Sequence, residues 1–536
     1  MHRRILICVL LTVLTMVARS QGIRDSIFDI REVDITATSM FRKEEAGMKE
    51  TRIDSTVLKD KRHVSLSEVL SQNTPVFIKN HGRGALATAS FRGTAASHTQ
   101  VLWNGIPINA PMTGMVDFSL IPVHLIDELS LKHGTASVAN GSGGLGGAIH
   151  IRNKSSFKRS LKVRYLQSIG SYGTHDEFLQ AGGGNGRIQT RTRIYRNHSD
   201  NDYTFINRST GYPDPETGDI VHPVDTNDRA GYTKYGLLQE LYFRPSAGDL
   251  LSAIYWTQAA SRTIPRATSY EGPDHSNLNR QSDTDHKVVL KWNHSGKQSR
   301  LDWIAGYSGK DLDYTLMNRV PGLGEVPAIY SRSRQHSALN SLSYRMDFSE
   351  KWSVEGRMEA NYHRVESKDS VTGSGYLGTR FEGGALIGIS RNIAGMFHLN
   401  VILRQEWVDG ERSPLVPYLG FDLLLRGDSA LLLKGNVARN FRRPSLNDLY
   451  WQPGGNPDLK PEQGVSGELG MEYRGAAWGQ KIRAEGTFFR SDIDHWILWV
   501  PSYKGYWEPR NVERVLSQGA EFSVSVHGRS GPLAYR

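Results

Sequence analysis

Trp352-Ser353-Val354-Glu355-Gly356-Arg357-Met358-Glu359-Ala360-Asn361-Tyr362-His363 alternates with a period of two. Trp352, Val354, Gly356, Met358, Ala360 and Tyr362 share one face of an extended strand, and Ser353, Glu355, Arg357, Glu359, Asn361 and His363 share the other. The second face carries too much charge for a dry core to accept. The same pattern recurs on both sides. Leu342, Tyr344, Met346 and Phe348 alternate with Ser341, Ser343, Arg345 and Asp347; Leu301, Trp303, Ala305 and Tyr307 repeat it upstream, and Phe397, Leu399, Val401 and Leu403 downstream. These strands run to about ten residues or more, against ~5–6 in a soluble sandwich. Their connections alternate between tight turns (Phe348-Ser349-Glu350-Lys351; Ser295-Gly296-Lys297) and long polar loops (Asp200 to Asp228; Pro265 to Asp285). Long strands with one apolar face, short turns at one end and long loops at the other describe an outer-membrane β-barrel. A propeller would show a blade-length repeat, and none is evident.

Composition agrees. The chain has 536 residues, of which 38% are hydrophobic, and beyond the N-terminus no run approaches the ~18 apolar residues of a membrane helix. With 22 Tyr, 17 Phe and 11 Trp it can bury far more surface than a disordered chain. At the N-terminus Arg3 and Arg4 precede the apolar run Ile5 to Val17, and Ala18-Arg19-Ser20 supplies small residues before a cut after Ser20. Residues 1–20 therefore read as a secretory signal peptide. Its removal takes Cys8, the only cysteine, which excludes disulfides and thiolate zinc sites from the mature chain and disfavours a lipoprotein anchor. The formal net charge of +10 is dispersed, whereas a nucleic-acid partner calls for a clustered basic patch.

Three regions follow. Residues 21–54 are polar and charged, with one β-like island, Glu32-Val33-Asp34-Ile35-Thr36-Ala37-Thr38. Residues 55–154 read as a compact mixed α/β domain. Ser65-Leu66-Ser67-Glu68 is a capping box, and Leu66, Val69 and Leu70 give a helical stripe. Val101-Leu102-Trp103 meets Ile106-Pro107-Ile108 through Asn104-Gly105, a hairpin signal. Leu125 to Lys132 reads as a helix end or a strand, and Ala148-Ile149-His150-Ile151 as a short strand. Residues 155–536 hold the barrel pattern.

Gly141-Ser142-Gly143-Gly144-Leu145-Gly146 matches a dinucleotide fingerprint, but a strand pattern follows it where that motif needs a helix, so tight turns and close backbone packing are the reading. No HExxH, GxSxG, P-loop or cysteine nucleophile occurs, the histidines are scattered, and the chain is not read as an enzyme. Asp200, Asp202, Asp214, Asp219, Asp225 and Asp228 crowd one loop. Calcium takes such oxygens, but the spacing fits no EF-hand; a solvated acidic loop is favoured and no cofactor is expected.

Ser90 to Asn109 and Lys132 to Ile151 resemble the plug domain of TonB-dependent outer-membrane transporters, and Asn447-Asp448-Leu449-Tyr450-Trp451 and Asn456 to Glu462 look like late barrel segments of that family. Within it, Phe91 to Asn109 is most similar to cobalamin (vitamin B12) transporters. Asn104 stands where the family's hairpin has Asp; both suit the turn. The resemblance implies an all-β transmembrane barrel of ~22 strands with an N-terminal α+β plug, residues 55–154, inside the lumen. There Arg92, Arg345, Arg357 and Glu359 would meet polar partners. It implies active import of a large scarce nutrient, a corrinoid or, as the alternative, a ferric siderophore; the rival class is a surface adhesin or an outer-membrane enzyme. TonB, of the TonB-ExbB-ExbD complex, would add a strand to Glu32–Thr38 as the TonB box. The other reading of that segment is a first plug strand. Outer-membrane lipids and a surface lipoprotein complete the expected partners. Plug loops facing the substrate would be the one around Arg83 and the one carrying Asn109, Ala110, Pro111, Met112, Thr113, Gly114 and Met115, whose methionines suit an irregular ligand; turn formation alone explains that loop equally well. At roughly 22–24 residues per strand, residues 155–536 make about 16–17 strands. The wall is therefore expected to be incomplete, stopping at Gly531 to Arg536 as a strand begins; a smaller barrel closing with shifted pairing is the alternative.

Overall fold

The computed structural model describes residues 46–135, 137–157, 160–265, 278–320, 322–426, 430–477, 479–530 and 533–535. The signal peptide and Glu32–Thr38 lie outside them. The first element is the strand Glu50–Ile53, and it already belongs to the plug, pairing antiparallel with Glu128–His133. The five-stranded plug sheet continues through Gly147–Arg152 and Thr99–Trp103, which are parallel, to Ile106–Pro107. The plug thus begins before residue 55, where the sequence placed its start, because Met48 and Ile53 are buried with the rest. A four-residue edge strand whose partner lies some eighty positions away has no local signature.

The other plug elements follow the sequence. The helix Leu66–Asn73 opens on its capping box, with the Ser65 N–H donating to Glu68 Oε1 at 3.5 Å. It buries Leu66, Val69 and Leu70 in the core that includes Val101, Leu129 and Ile149. Asn104 (φ 52°) and Gly105 (φ 96°) both take the left-handed conformation that a two-residue hairpin requires. The ambiguous stretch divides into a short turn of helix, Val123–Leu125, and the strand Glu128–His133.

Among the described residues sixteen strands of nine residues or more, from Lys162–Gly170 to Trp507–Ser530, form the wall. Each is antiparallel to its neighbours. The loop expected over Pro265 to Asp285 ends earlier, since strand begins again at Leu278. In Trp352–Asp369 the apolar face is the exposed one: Met358 is 70% and Tyr362 46% accessible, while Ser353 is buried against the interior. Beyond Tyr362 the outward positions turn charged, at Arg364 and Glu366, and the inward Val365 becomes apolar and buried. The apolar outer band on this strand therefore covers about eleven residues, one hydrocarbon thickness. No described helix is long and apolar enough to cross a membrane.

The order of neighbouring strands closes on itself, with Leu533–Tyr535 between Trp507–Ser530 and Lys162–Gly170. The expected open seam is bridged here by that one short strand. The chain turns back after Ser530, pairing Gly528 with Tyr535 and Ser530 with Leu533, and offers its edge to the first strand. Unpaired backbone has no partner in lipid, yet among the described residues only three positions of Trp507–Ser530 are paired on this side, so the ring closes in strand order but not along its length. The strand count stays within the expected range. Closure is confined to that short strand; among the described residues Trp507–His527 pairs on one side only.

The plug lies inside this wall, bonded to it around the circumference. Arg92 reaches Glu468 at 2.8 Å and Glu521 at 3.0 Å beneath the ring of Phe489, and Lys49 joins Glu521 at 2.8 Å. On another side Asp127 accepts from Arg191 (2.6 Å) and Arg193 (2.8 Å). Elsewhere Arg262 pairs with Asp117 (2.8 Å) and Arg357 donates to the Ala139 carbonyl (2.7 Å). Removing one partner of such a buried pair costs about 3–5 kcal/mol, because the other charge is left desolvated. Two plug histidines are sealed in the same layer. His133 sits edge-on to Phe91 and contacts Thr51 Oγ1 at 2.9 Å; His124 packs on Phe178 and Tyr195. Burial, with nearby Arg92 for His133 and Arg193 for His124, lowers each imidazole to about 3.

These imidazoles are neutral in the folded chain and take a proton near pH 6.5 when exposed. Stability should therefore fall as pH drops below about 6.5, by up to about 1.4 kcal/mol per pH unit for each ring. Denaturant midpoints at pH 7.5 and pH 5, compared with those of a His124→Gln, His133→Gln variant, measure it. On the outer face, Met358→Arg should cost about 2–4 kcal/mol in lipid vesicles. Gly356→Ala on the same face, where an added Cβ meets nothing within 4 Å, should be close to neutral in the same refolding titration.

Candidate functional site

At the long-loop end a hollow lies between plug and wall and measures about 1020 Å³ including its open mouth. Its floor is the plug loop after Ile108. Asn109 organises that loop: its Nδ2 donates to the Thr99 and Gly114 carbonyls, both at 2.9 Å, and its Oδ1 accepts from the Val101 N–H at 2.8 Å. The Gly114 N–H closes the turn on the Ala110 carbonyl at 2.7 Å. Asn109, Ala110, Pro111 and Gly114 face the hollow.

The methionines do not. Met112 is 8% exposed and packs on Val365 and Leu446 of the wall. Its N–H donates to Gln335 Oε1 (3.3 Å), and its carbonyl accepts from the Asn447 N–H (2.8 Å). The loop expected to flex around a ligand is therefore anchored to the barrel by Met112. Met115 lines a smaller adjoining hollow with Trp256, Lys287 and Lys310, and Thr113 Oγ1 accepts from the Met115 N–H at 3.4 Å. Arg83 is also at the long-loop end, but on another part of the rim. It donates to Tyr232 Oη at 3.0 Å and pairs with Asp176 at 3.3 Å, tying its plug loop to the wall.

The helix Leu446–Tyr450 explains the Asn447–Trp451 motif. Ser445 and Asp448 cap it reciprocally, the Asp448 N–H donating to Ser445 Oγ at 3.1 Å and the Ser445 N–H to Asp448 Oδ2 at 2.8 Å. Asn447 Oδ1 accepts from Tyr376 Oη at 2.6 Å, and Asp448 Oδ1 from Trp499 Nε1 at 2.9 Å. The same Asp448 meets Arg442 at 3.2 Å; Arg442 also holds Glu462 at 2.6 Å. His98 of the plug completes this cluster. Its Nδ1 accepts from the Ala95 N–H at 3.0 Å, which leaves Nε2–H to donate to Glu462 at 2.8 Å. Complete burial lowers its pKa despite Glu462, consistent with a neutral ring.

The wall of the hollow carries an arginine–carboxylate lattice that the sequence reading passed over. Arg443 pairs with Glu406 (2.7 Å) and Glu382 (3.3 Å), Arg404 with Glu406 (2.7 Å) and with Glu359, and Arg380 donates to the Pro444 carbonyl (2.9 Å). A signal was present: Arg380 with Glu382, and Arg404 with Glu406, stand two apart on the polar face of their strands. The plug reaches this lattice through its glycine-rich run. The Ser142 N–H donates to Glu406 Oε1 at 3.2 Å, and Ser142 Oγ accepts from the Arg443 N–H at 3.1 Å. Gly141 (φ 89°) lies so close that an added Cβ would stand 2.7 Å from Arg404 Nη2. Close packing is thus what the glycines supply. In the acidic loop, Asp214 Oδ1 accepts from the Glu216 and Thr217 N–H groups and Asp225 from Asn207 Nδ2. Among the described residues no three acidic, histidine or cysteine side chains gather as a metal site.

A family model described as TonB dependent receptor-like, beta-barrel, matches residues 168–535, and one described as TonB-dependent Receptor Plug Domain matches residues 42–148. Among curated proteins, the chain is 24% identical over 462 residues to the vitamin B12 transporter BtuB of Vibrio vulnificus (strain YJ016), covering 83% of this chain and 67% of that protein. Among solved structures, the copper transporter OprC aligns with a TM-score of 0.70 at 16% identity, over 92% of this chain and 81% of its own. The siderophore receptor PirA from Acinetobacter baumannii aligns with a TM-score of 0.70 at 17% identity, over 92% and 80%. These two likenesses show the fold.

Gly141→Val should displace Arg404 and strain the backbone at a positive φ, costing about 1–3 kcal/mol. The unfolding midpoint in detergent checks it, with Gly356→Ala as the unperturbed control.

Proposed function

The chain belongs to the TonB-dependent receptors, a family of outer-membrane proteins of Gram-negative bacteria, and on that premise we propose that it imports a corrinoid across the outer membrane with energy delivered through TonB. The observation that carries the choice of ligand is the charge balance of the hollow. Arg404, Arg442 and Arg443 are each matched by carboxylates within the lattice, and Arg380 is held by the Pro444 carbonyl. A ferric catecholate siderophore is a compact polyanion and would need cations left free for it. A corrinoid presents a rim of neutral amides, which a wall rich in paired donors and acceptors can bind without stranding a charge. The likeness to a vitamin B12 transporter over most of the chain supports the same reading.

In this reading Asn109, Ala110, Pro111 and Gly114 touch the ligand from below. Met112 and Thr113 keep the loop in place, Met115 backs it, and Arg83 holds the neighbouring rim. Glu32–Thr38 receives TonB by strand addition. An adhesin or an enzyme has no use for such a segment.

Purified protein should bind cyanocobalamin in equilibrium titration and ignore a panel of ferric siderophores; the opposite ranking would replace the corrinoid with a siderophore. Ile35→Pro removes a backbone donor and distorts the added strand. It should abolish growth on limiting ligand while leaving binding unchanged. Growth at the parental rate would show that coupling does not run through this segment.

A further inference from the structure

At the opposite, short-turn end a second hollow of about 960 Å³, including its open mouth, lies between the plug and the first three barrel strands. Its chemistry is the reverse of the first. Lys59 and Arg62 face it from the plug, Lys162 and Arg164 from the first barrel strand, and Arg191 and Arg193 from the third. The last two are satisfied by Asp127 and Glu240. The other four have no carboxylate within 4.0 Å among the described residues. On the first strand, Val163 and Tyr165 point outward and are 63% and 62% exposed, so the pleat turns Lys162 and Arg164 into the lumen. Lys59, Lys162 and Arg164 are exposed and Arg62 is half-buried, so cations confront cations around the open mouth of this space. Arg62 registers this: burial first, then Arg164 and Arg193, push its pKa below the usual guanidinium value, against the weaker pull of Asp127 and Asp60. Solvent screens the repulsion at the three exposed groups, and an anion held among them would gain most against the half-buried Arg62.

We propose that this hollow is a phosphoryl-binding site, clamped between Arg62 of the plug and Arg164 of the wall. A tetrahedral phosphoryl group offers several oxygens to cations approaching from two sides, which a planar carboxylate cannot do equally. Ser156 and Ser160 line the same space as neutral donors, and its volume admits more than an inorganic ion. The group is carried either by a phospholipid headgroup of the inner leaflet or by a soluble phosphate ester on the periplasmic side. Occupancy would fasten the start of the barrel to the plug by cancelling their mutual repulsion.

The test uses the full chain in neutral detergent and phosphate-free buffer. Sodium diphosphate should raise the unfolding midpoint in a saturable manner. The Arg62→Gln, Arg164→Gln variant should be no less stable than the parent before addition, since repulsion is relieved. Its affinity for diphosphate should fall at least tenfold. Lys351→Gln, an exposed lysine on a short turn outside the hollow, should respond as the parent does. Nanodiscs of phosphatidylcholine with and without phosphatidylglycerol separate the sources. Retained phosphatidylglycerol that diphosphate displaces indicates a lipid; diphosphate binding without retained lipid indicates a soluble ester. Equal responses from parent and double variant, or no response to either probe, would overturn the proposal. So would a response that appears only when residues 21–40 are deleted, because their acidic stretch from Asp25 to Asp34 would then be the occupant.

Discussion

A wall that turns its apolar face to lipid must turn its charged face to something else. That inversion governs the molecule. Along Trp352–Asp369 the residues a soluble protein would bury are exposed, and those it would expose line the lumen. Hydrocarbon offers those charges no partner, so the plug must supply them. Arg92 between Glu468 and Glu521, Asp127 between Arg191 and Arg193, and Arg262 on Asp117 are the consequences. The plug also has an ordinary dry core around Leu66, Val101 and Ile149, which lets it present a polar outer surface to the wall while holding its own shape.

The two ends of the lumen use the same residue types to different effect. Beneath the long loops, arginines and carboxylates alternate on the wall and complete one another, and the plug enters the lattice through backbone groups of Gly141 and Ser142. Close approach matters there, and glycine permits it. At the short-turn end the first strand contributes Lys162 and Arg164 opposite Lys59 and Arg62, and the balance is missing. A balanced lattice suits the neutral polar ligand proposed for it, and an unbalanced cluster suits the proposed anion. The difference lies in which carboxylates the neighbouring strands bring into register. Glu240 reaches Arg191 and Arg193 but neither Lys162 nor Arg164.

Where the sequence misled, the cause was long-range pairing. Glu50–Ile53 is a strand because Glu128–His133 lies beside it, not because of its own composition. Met112 is a large flexible side chain in a small loop, which locally suggests ligand contact, yet Val365 and Leu446 enclose it from strand and loop segments more than two hundred residues away. Closure of the wall likewise depends on a three-residue strand after a turn, too short to carry a period.

The sequence by itself determined the barrel and its orientation, because strict alternation over long strands admits one solution when one face is apolar and the other charged. It also determined the short and long ends, the capping box at Ser65, the Asn104-Gly105 hairpin and the packing role of the glycine run, since each is set by residues within a few positions of one another. Only the tertiary structure decided which arginine meets which carboxylate, that Asn109 and not Met112 faces the hollow, and that four cations at the other end meet no carboxylate among the described residues. Those outcomes depend on the register between strands hundreds of residues apart, and a single chain read along its length carries the charges but not their neighbours.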